Sequence, residues 1–229
     1  MKHAAWPDDF TVRPPRRDEA QAVADLCCAR GIADFGEPDW SLEDTHADWD
    51  RLGFDLERDA RVVVAPDGLL AAYVDAHKRP NVVQIGENAG VHPDFRGQGL
   101  EAALVELGES LAAQHAPLPL RWMSEVGRGR VLAERGYTPF RYLWQMRIDF
   151  AEPPVPATWP DGFGVRIMEQ ADERATHALI DNAFARPDRA PVSFDEWRRY
   201  VVEREDFDRS LQFVAVKGDE IVGAALCME

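Results

Sequence analysis

Between Val91 and Leu100 the chain reads Val-His-Pro-Asp-Phe-Arg-Gly-Gln-Gly-Leu, and this stretch carries the residue types best suited to chemistry. The two glycines remove Cβ atoms from a loop, so an anion can approach the backbone closely. An amphipathic helix follows, with Leu100, Ala103, Leu104, Leu107 and Leu111 on one face of a 3.6-residue repeat. A helix start carries unpaired N–H groups and roughly half a positive charge, which suits a phosphate. Arg96, Gly97, Gln98 and Gly99 therefore read as a pyrophosphate cradle. An apolar strand, Val82 to Val91, leads into it.

Spacing separates the sites that use such a cradle. A P-loop needs Lys after its last glycine, and Leu100 stands there. Gly97, Gly99 and Ala102 fit G-x-G-x-x-A formally. In a dinucleotide fold, however, the first glycine follows the strand almost directly, whereas Pro93 and a polar loop intervene here. The run from Val91 to Leu100 instead resembles the acyl-CoA loop of the GNAT N-acetyltransferase superfamily, [QR]-x-x-G-x-[GA] after a strand ending in V-x-P. The resemblance makes Arg96 the first position and Gly99 the glycine, with the Gly97 and Gln98 amides between them. Leu100 follows, and Glu101 stands where the family has Gly or Ala. A carboxylate there lies either beside a diphosphate, weakening CoA binding, or out in solvent, favouring the helix dipole.

The rest of the chain must position this loop. Phe10 to Arg13 reads as a strand stopped by Pro14-Pro15, and Asp18 with Gln21 as a capping box opening a helix to about Arg30. A second helix starts near Ser41. Arg61 to Ala65 and Leu69 to His77 form a hairpin around Pro66-Asp67-Gly68. After the cradle helix come a strand near Leu118 to Met123 and a helix ending near Arg135, with Gly136 as C-cap. Strict alternation of Tyr142, Trp144, Met146, Ile148 and Phe150 predicts a half-buried strand. This order is that of the GNAT fold, a mixed, mostly antiparallel α/β (α+β) sheet flanked by helices, over residues 1–150.

Four prolines between Ala151 and Gly162 mark a linker, 151–162. Residues 163–229 then repeat the start. Phe163 to Arg166 echoes Phe10 to Arg13, Ser193 to Glu196 echoes Ser41 to Asp44, and Phe213 to Ala225 echoes the hairpin. The chain thus resembles tandem, mycothiol synthase-like acetyltransferases, with an incomplete second GNAT copy that stops before its own cradle. Its last strand would present an unpaired edge, an invitation to self-association.

The resemblance implies acetyl-CoA as acyl donor and a small-molecule or peptide amine as acceptor. It also implies an oxyanion donor among the backbone N–H groups near Gly90 and Val91. Glu87, the one acid in the strand, is the candidate base. The thiolate acid, a Tyr in many relatives, is replaced by Leu132, which leaves Tyr137 as a substitute or a core aromatic. Glu125 stands where an Asn is often found. The acids Glu37, Asp39, Glu43 and Asp44 either draw in a cationic amine or form a solvated, capping face. A non-catalytic acyl-CoA-binding or domain-pairing module is the alternative.

Composition narrows the partners. With 26 Lys and Arg against 41 Asp and Glu, the net charge of −15 disfavours nucleic acid and anionic membranes. Any CoA pocket must then be locally basic, with Arg121, Arg128 and Arg130 as candidates or as a solvated face. Three cysteines, two of them adjacent, suit neither a disulfide framework nor zinc, and the histidines lack metal-ligand spacing. There is no long apolar run and no signal-peptide pattern, so a metal-free cytoplasmic protein is expected.

Overall fold

The computed structural model describes residues 6–86, 88–124, 129–144, 146–186 and 191–227. The chain divides into two compact units, Met1–Tyr137 and Thr138–Glu229.

In the first unit, β1 (Thr11–Arg13), β2 (Ala60–Val64), β3 (Leu70–Arg79), β4 (Val82–Ile85) and β6 (Leu120–Trp122) lie side by side in that order. Neighbours are antiparallel except β4 and β6, which run parallel. The short β5 (Gly90–Val91) pairs with β3 beyond β4. One face of the sheet is covered by α4 (Leu100–Ala113), whose Leu100, Leu104 and Leu111 join Val74, Val83, Ile85 and Val91 in one core. Gly108 lets α4 approach closely, since a Cβ there would stand 2.6 Å from the Trp122 ring. On a second core cluster α1 (Ala20–Phe35) and α2 (Leu42–Trp49) bring Val23, Leu26 and Trp49 against Tyr73 and Val62.

Local chemistry sets most boundaries. The Ser41 hydroxyl accepts from the Asp44 N–H at 3.1 Å while the Asp44 carboxylate accepts from the Ser41 N–H at 3.0 Å, a reciprocal cap. The first helix differs from expectation. A short 3-10 turn precedes α1, and Glu19, not Gln21, closes the box by accepting from the Arg16 N–H at 2.8 Å. Glu19 also holds Arg13 of β1 at 2.5 Å, a tie that local spacing does not reveal. The helix runs on to Phe35, where left-handed Gly36 ends it.

Two further expectations fail. The strand from Val82 to Val91 is broken: four steps along β3, Ala76 to Ala72, face six steps from Ile85 to Val91. The two extra residues break the ladder in a bulge that holds Gly86, Asn88 and Ala89. The stretch from Tyr142 to Phe150 forms no strand among its described residues, and Trp144 and Met146 are 83% and 90% exposed. Alternation supplies an apolar face but no ladder, and among the described residues no strand pairs with it.

The second unit holds β7 (Phe163–Ile167), α6 (Glu173–Ala183), α7 (Phe194–Val201), β8 (Gln212–Lys217) and β9 (Glu220–Leu226), in an antiparallel sheet of order β7-β8-β9. β8 and β9 form a hairpin, with α6 and α7 between β7 and β8 in the chain. Arg166 chelates Asp172 as Arg13 chelates Glu19, in each case six residues apart. Both second strands carry a register shift, at Val63/Val64 and Ala215/Val216, 152 positions apart.

Asp59, just before β2, ties the chain that follows α4 to the sheet. The short α3 (Leu56–Asp59) ends there, and the buried carboxylate meets Arg58 at 2.6 Å and His115 at 3.0 Å. Burial alone would raise its pKa, but Arg58, the Asp55 N–H and His115 outweigh it and hold the carboxyl below the usual range. A depressed folded-state pKa contributes stability above the unfolded value, lost as pH falls through the folded one. Asp59→Asn should therefore cost about 1 kcal/mol at pH 7. The gap to wild type should close in urea melts as pH falls below about 4. A gap that persists at low pH would contradict this.

Candidate active site

The cradle is built by backbone conformation rather than by packing. His92 ends the strand, a 3-10 turn (Pro93–Phe95) redirects the chain, and α4 begins at Leu100. Gly97 and Gly99 have φ of 74° and 82°, a left-handed conformation that side chains resist. A Cβ built on either would meet nothing within 4 Å, so both glycines face open space at the helix start. Successive amides of such loops converge into an anion-binding concavity. The residues thus fit a pyrophosphate.

Two carboxylates already occupy its donors. Arg96 makes a bidentate pair with Asp34 in the last turn of α1, at 2.7 and 2.9 Å. The Gly97 N–H donates to Glu101 Oε1 at 3.2 Å. Glu101 is therefore not simply turned to solvent; it folds back over the loop, in the role an incoming anion would take. Gln98 is exposed, with its amide 3.5 Å from the Asp94 carbonyl. Leu100 is buried in the core below.

Beside the cradle the sheet opens. The parallel pair β4–β6 runs from Val83↔Leu120 to Ile85↔Trp122, with a last bond from Met123 N–H to the Ile85 carbonyl at 3.2 Å. Past Ile85, β5 continues along β3 alone. The His92 N–H donates to the Ala71 carbonyl at 2.8 Å, so by antiparallel alternation the Gly90 N–H also faces β3. The Val91 N–H points to the other, open edge. Of the two strand amides considered, Val91 is the one free of the ladder.

The other candidates fare differently. Glu87 and Glu125, like Arg128, lie outside the described residues. Tyr137 is half-buried and its hydroxyl is 3.3 Å from Glu109 Oε1. Burial, and then the Glu109 carboxylate, raise its pKa. Eight residues separate Glu109 from Glu101, about 12 Å of helix, which sets Tyr137 apart from the cradle. Arg130 pairs with Glu134 at 3.8 Å. Of the acids near α2, Asp44 is spent on the cap, and Asp39 packs against α1, with Oδ1 2.2 Å from where a Gly31 Cβ would stand.

Sequence reading missed Asp34, and it missed a buried cluster of Asp48, Asp75 and His77 whose ligand atoms lie within 4.8 Å of one another. Asp48 is held by Arg51 at 2.6 Å. Asp75 accepts from the Tyr73 hydroxyl and the Asn88 amide, both at 2.9 Å, and lies 3.2 Å from His77 Nε2. The carboxylates are thus engaged by protein donors. A charge in the middle of the apolar run Leu70 to Ala76 was the available signal.

Among the described residues, no helix is long and apolar enough to cross a membrane. No family model matches the sequence. The chain is 35% identical over 136 residues to a mycothiol acetyltransferase of Acidothermus cellulolyticus, covering 58% of this chain and 41% of that protein. It is 29% identical over 191 residues to the one from Salinispora arenicola, covering 78% and 58%. It therefore spans roughly half the length of these curated relatives. A solved structure described as a GCN5-related N-acetyltransferase, from Sphaerobacter thermophilus, superposes with a TM-score of 0.74 at 36% identity, covering 98% of this chain and 73% of that one. That likeness extends across the opened sheet, the glycine cradle and nearly the whole of the second unit, and the chain belongs to the GCN5-related N-acetyltransferase family.

Proposed function

We propose that the chain is an acyl-CoA-dependent N-acyltransferase, moving the acetyl group of acetyl-CoA to a primary amine of a small molecule or peptide. The observation that carries this reading is the sheet opening after Ile85↔Trp122 directly beside two left-handed glycines at the start of α4. Pyrophosphate would be held by the amides of Gly97, Gln98, Gly99 and Leu100, with Arg96 released from Asp34. The pantetheine arm would run into the opening, and the Val91 N–H would face the acyl oxygen, supplying charge stabilisation where it develops. In the reaction the amine nitrogen bonds to the acyl carbon, the carbon–sulfur bond breaks to release CoA as a thiolate that takes a proton from solvent, and the amine proton leaves. Glu87, the one acid between Val82 and Val91, is the proposed acceptor of that proton.

The test is free-thiol release from acetyl-CoA across a panel of amines. Release above the enzyme-free rate with at least one amine supports transfer; none with any amine favours a binding module. That second reading has its own support, since Glu101 and Asp34 sit on the cradle's donors and Leu132 replaces the usual acid.

The second unit we read as a repeat of the first unit's opening half, joined through residues 151–162. The shared strand order, shared ion pair and shared register shift support it. The outer edge of β9 pairs with no strand among the described residues, and Val222 is part-exposed on it. Such edges pair between chains. Light scattering should give the chain a mass above 25.8 kDa, and Val222→Lys should return it to that value. Equal masses for both proteins would contradict the edge as an interface.

A further inference from the structure

The bulge that holds Gly86, Asn88 and Ala89 interrupts the strand that leads into the cradle, and Asn88 lies inside the protein. A buried carbonyl needs a donor. The Asn88 carbonyl finds one in Arg30 Nη1 of α1, at 2.5 Å, with the Cys27 thiol at 3.7 Å. The Asn88 side chain then donates to Asp75 Oδ2 on β3 at 2.9 Å and to Asp48 Oδ2 on α2 at 3.4 Å. Asp75 is wholly buried, and Arg30 and Asn88 are each only 4% exposed. The bulge is thus gripped from three directions, by α1, α2 and β3.

Stability alone is a poor reason for such an arrangement. Buried charges cost solvation that their pairing barely offsets, and apolar residues of similar volume commonly do as well. Asp75 Oδ1 and Asn88 Oδ1, moreover, have no hydrogen-bond partner among the described residues. Both press on Gly86, where a Cβ would lie 2.9 Å from the first and 2.4 Å from the second. What the network does supply is a single backbone path through two extra residues that the β3 ladder leaves unpaired.

We propose that Asp75, Asn88 and Arg30 are positioning residues, a buried brace that fixes the bulge and thereby aims the Val91 N–H at the site of acyl transfer. The catalytic half of this statement rests on the transferase reading above. The brace itself does not.

The test compares the full chain with Asp75→Asn and Gly86→Ala. The first keeps the shape and removes the charge. The second leaves every brace residue in place but pushes a methyl between them. Amide hydrogen exchange is read along the first unit. Exchange at residues 88–91 should accelerate at least tenfold in either variant, with Val82 to Ile85 within twofold of wild type. Unchanged exchange at 88–91, or a uniform acceleration across the unit, would overturn the brace. Should Asp75→Asn fail to fold, Gly86→Ala gives the same reading. With any amine that wild type acetylates, kcat should fall at least tenfold while the Kd for CoA stays within twofold. A matching loss of CoA affinity would overturn the positioning role. If wild type acetylates no amine, the transferase reading fails, and the exchange data still decide the brace.

Discussion

Gly99→Val is expected to weaken CoA binding by at least about a hundredfold, equivalent to ~2.7 kcal/mol, in calorimetric titration. Two effects combine. Valine strongly resists the φ of 82° that turns the loop into α4, so the amides lose their convergence. Its side chain also projects into the open space in front of the helix start, where no protein atom lies within 4 Å of the added Cβ and a phosphate would sit. Strain alone is separable from site loss. Gly136, after α5 (Gly129–Glu134), has φ of 91° and an equally open Cβ direction. Gly136→Val should therefore lower the melting temperature comparably and leave CoA affinity untouched. Equal effects of both substitutions on affinity would mean that general destabilisation, not the cradle, is being measured.

Glu101→Gln should move affinity the other way. In the structure the Glu101 carboxylate accepts from the Gly97 N–H at 3.2 Å and must leave, or repel, an incoming diphosphate. A like charge within about 10 Å at an effective dielectric near 20 costs ~1–2 kcal/mol, so removing it should tighten CoA binding roughly five- to thirtyfold. Glutamine keeps the reach and an acceptor oxygen, which isolates the charge. Glu101→Gly should tighten binding less, because glycine in the first helical turn costs helix stability. Salt provides the second axis. The advantage of Glu101→Gln should shrink as ionic strength rises, since the loop is exposed. An affinity that does not change would mean the carboxylate swings clear at no cost.

The glycine turn into α4, the Ser41 cap, the Pro66-to-Gly68 turn and the buried face of α4 were legible because each depends on residues within a turn or two of one another. The Asp34–Arg96 pair was not, since its members stand 62 positions apart. The bulge was hidden for the same reason. The partners of Asn88 lie 13, 40 and 58 positions away, so Val82 to Val91 looked like one continuous apolar strand. Tyr142 to Phe150 shows the opposite failure. Its alternation is as regular as any in the chain, yet a strand exists only when another pairs with it. The start of α7 was legible on the same ground as the Ser41 cap, because the Ser193 hydroxyl accepts from the Glu196 N–H only three residues on.

The proposed CoA site is the backbone of this loop. Its most direct test is a two-dimensional amide NMR titration of the full chain with CoA, followed by the same titration with pantetheine, which lacks the diphosphate. CoA should shift the N–H resonances of Gly97, Gln98, Gly99 and Leu100 more than any others in the first unit, and pantetheine should leave those four nearly unmoved. If CoA binds while these four amides stay in place, the diphosphate is held elsewhere and the cradle is not the cofactor site.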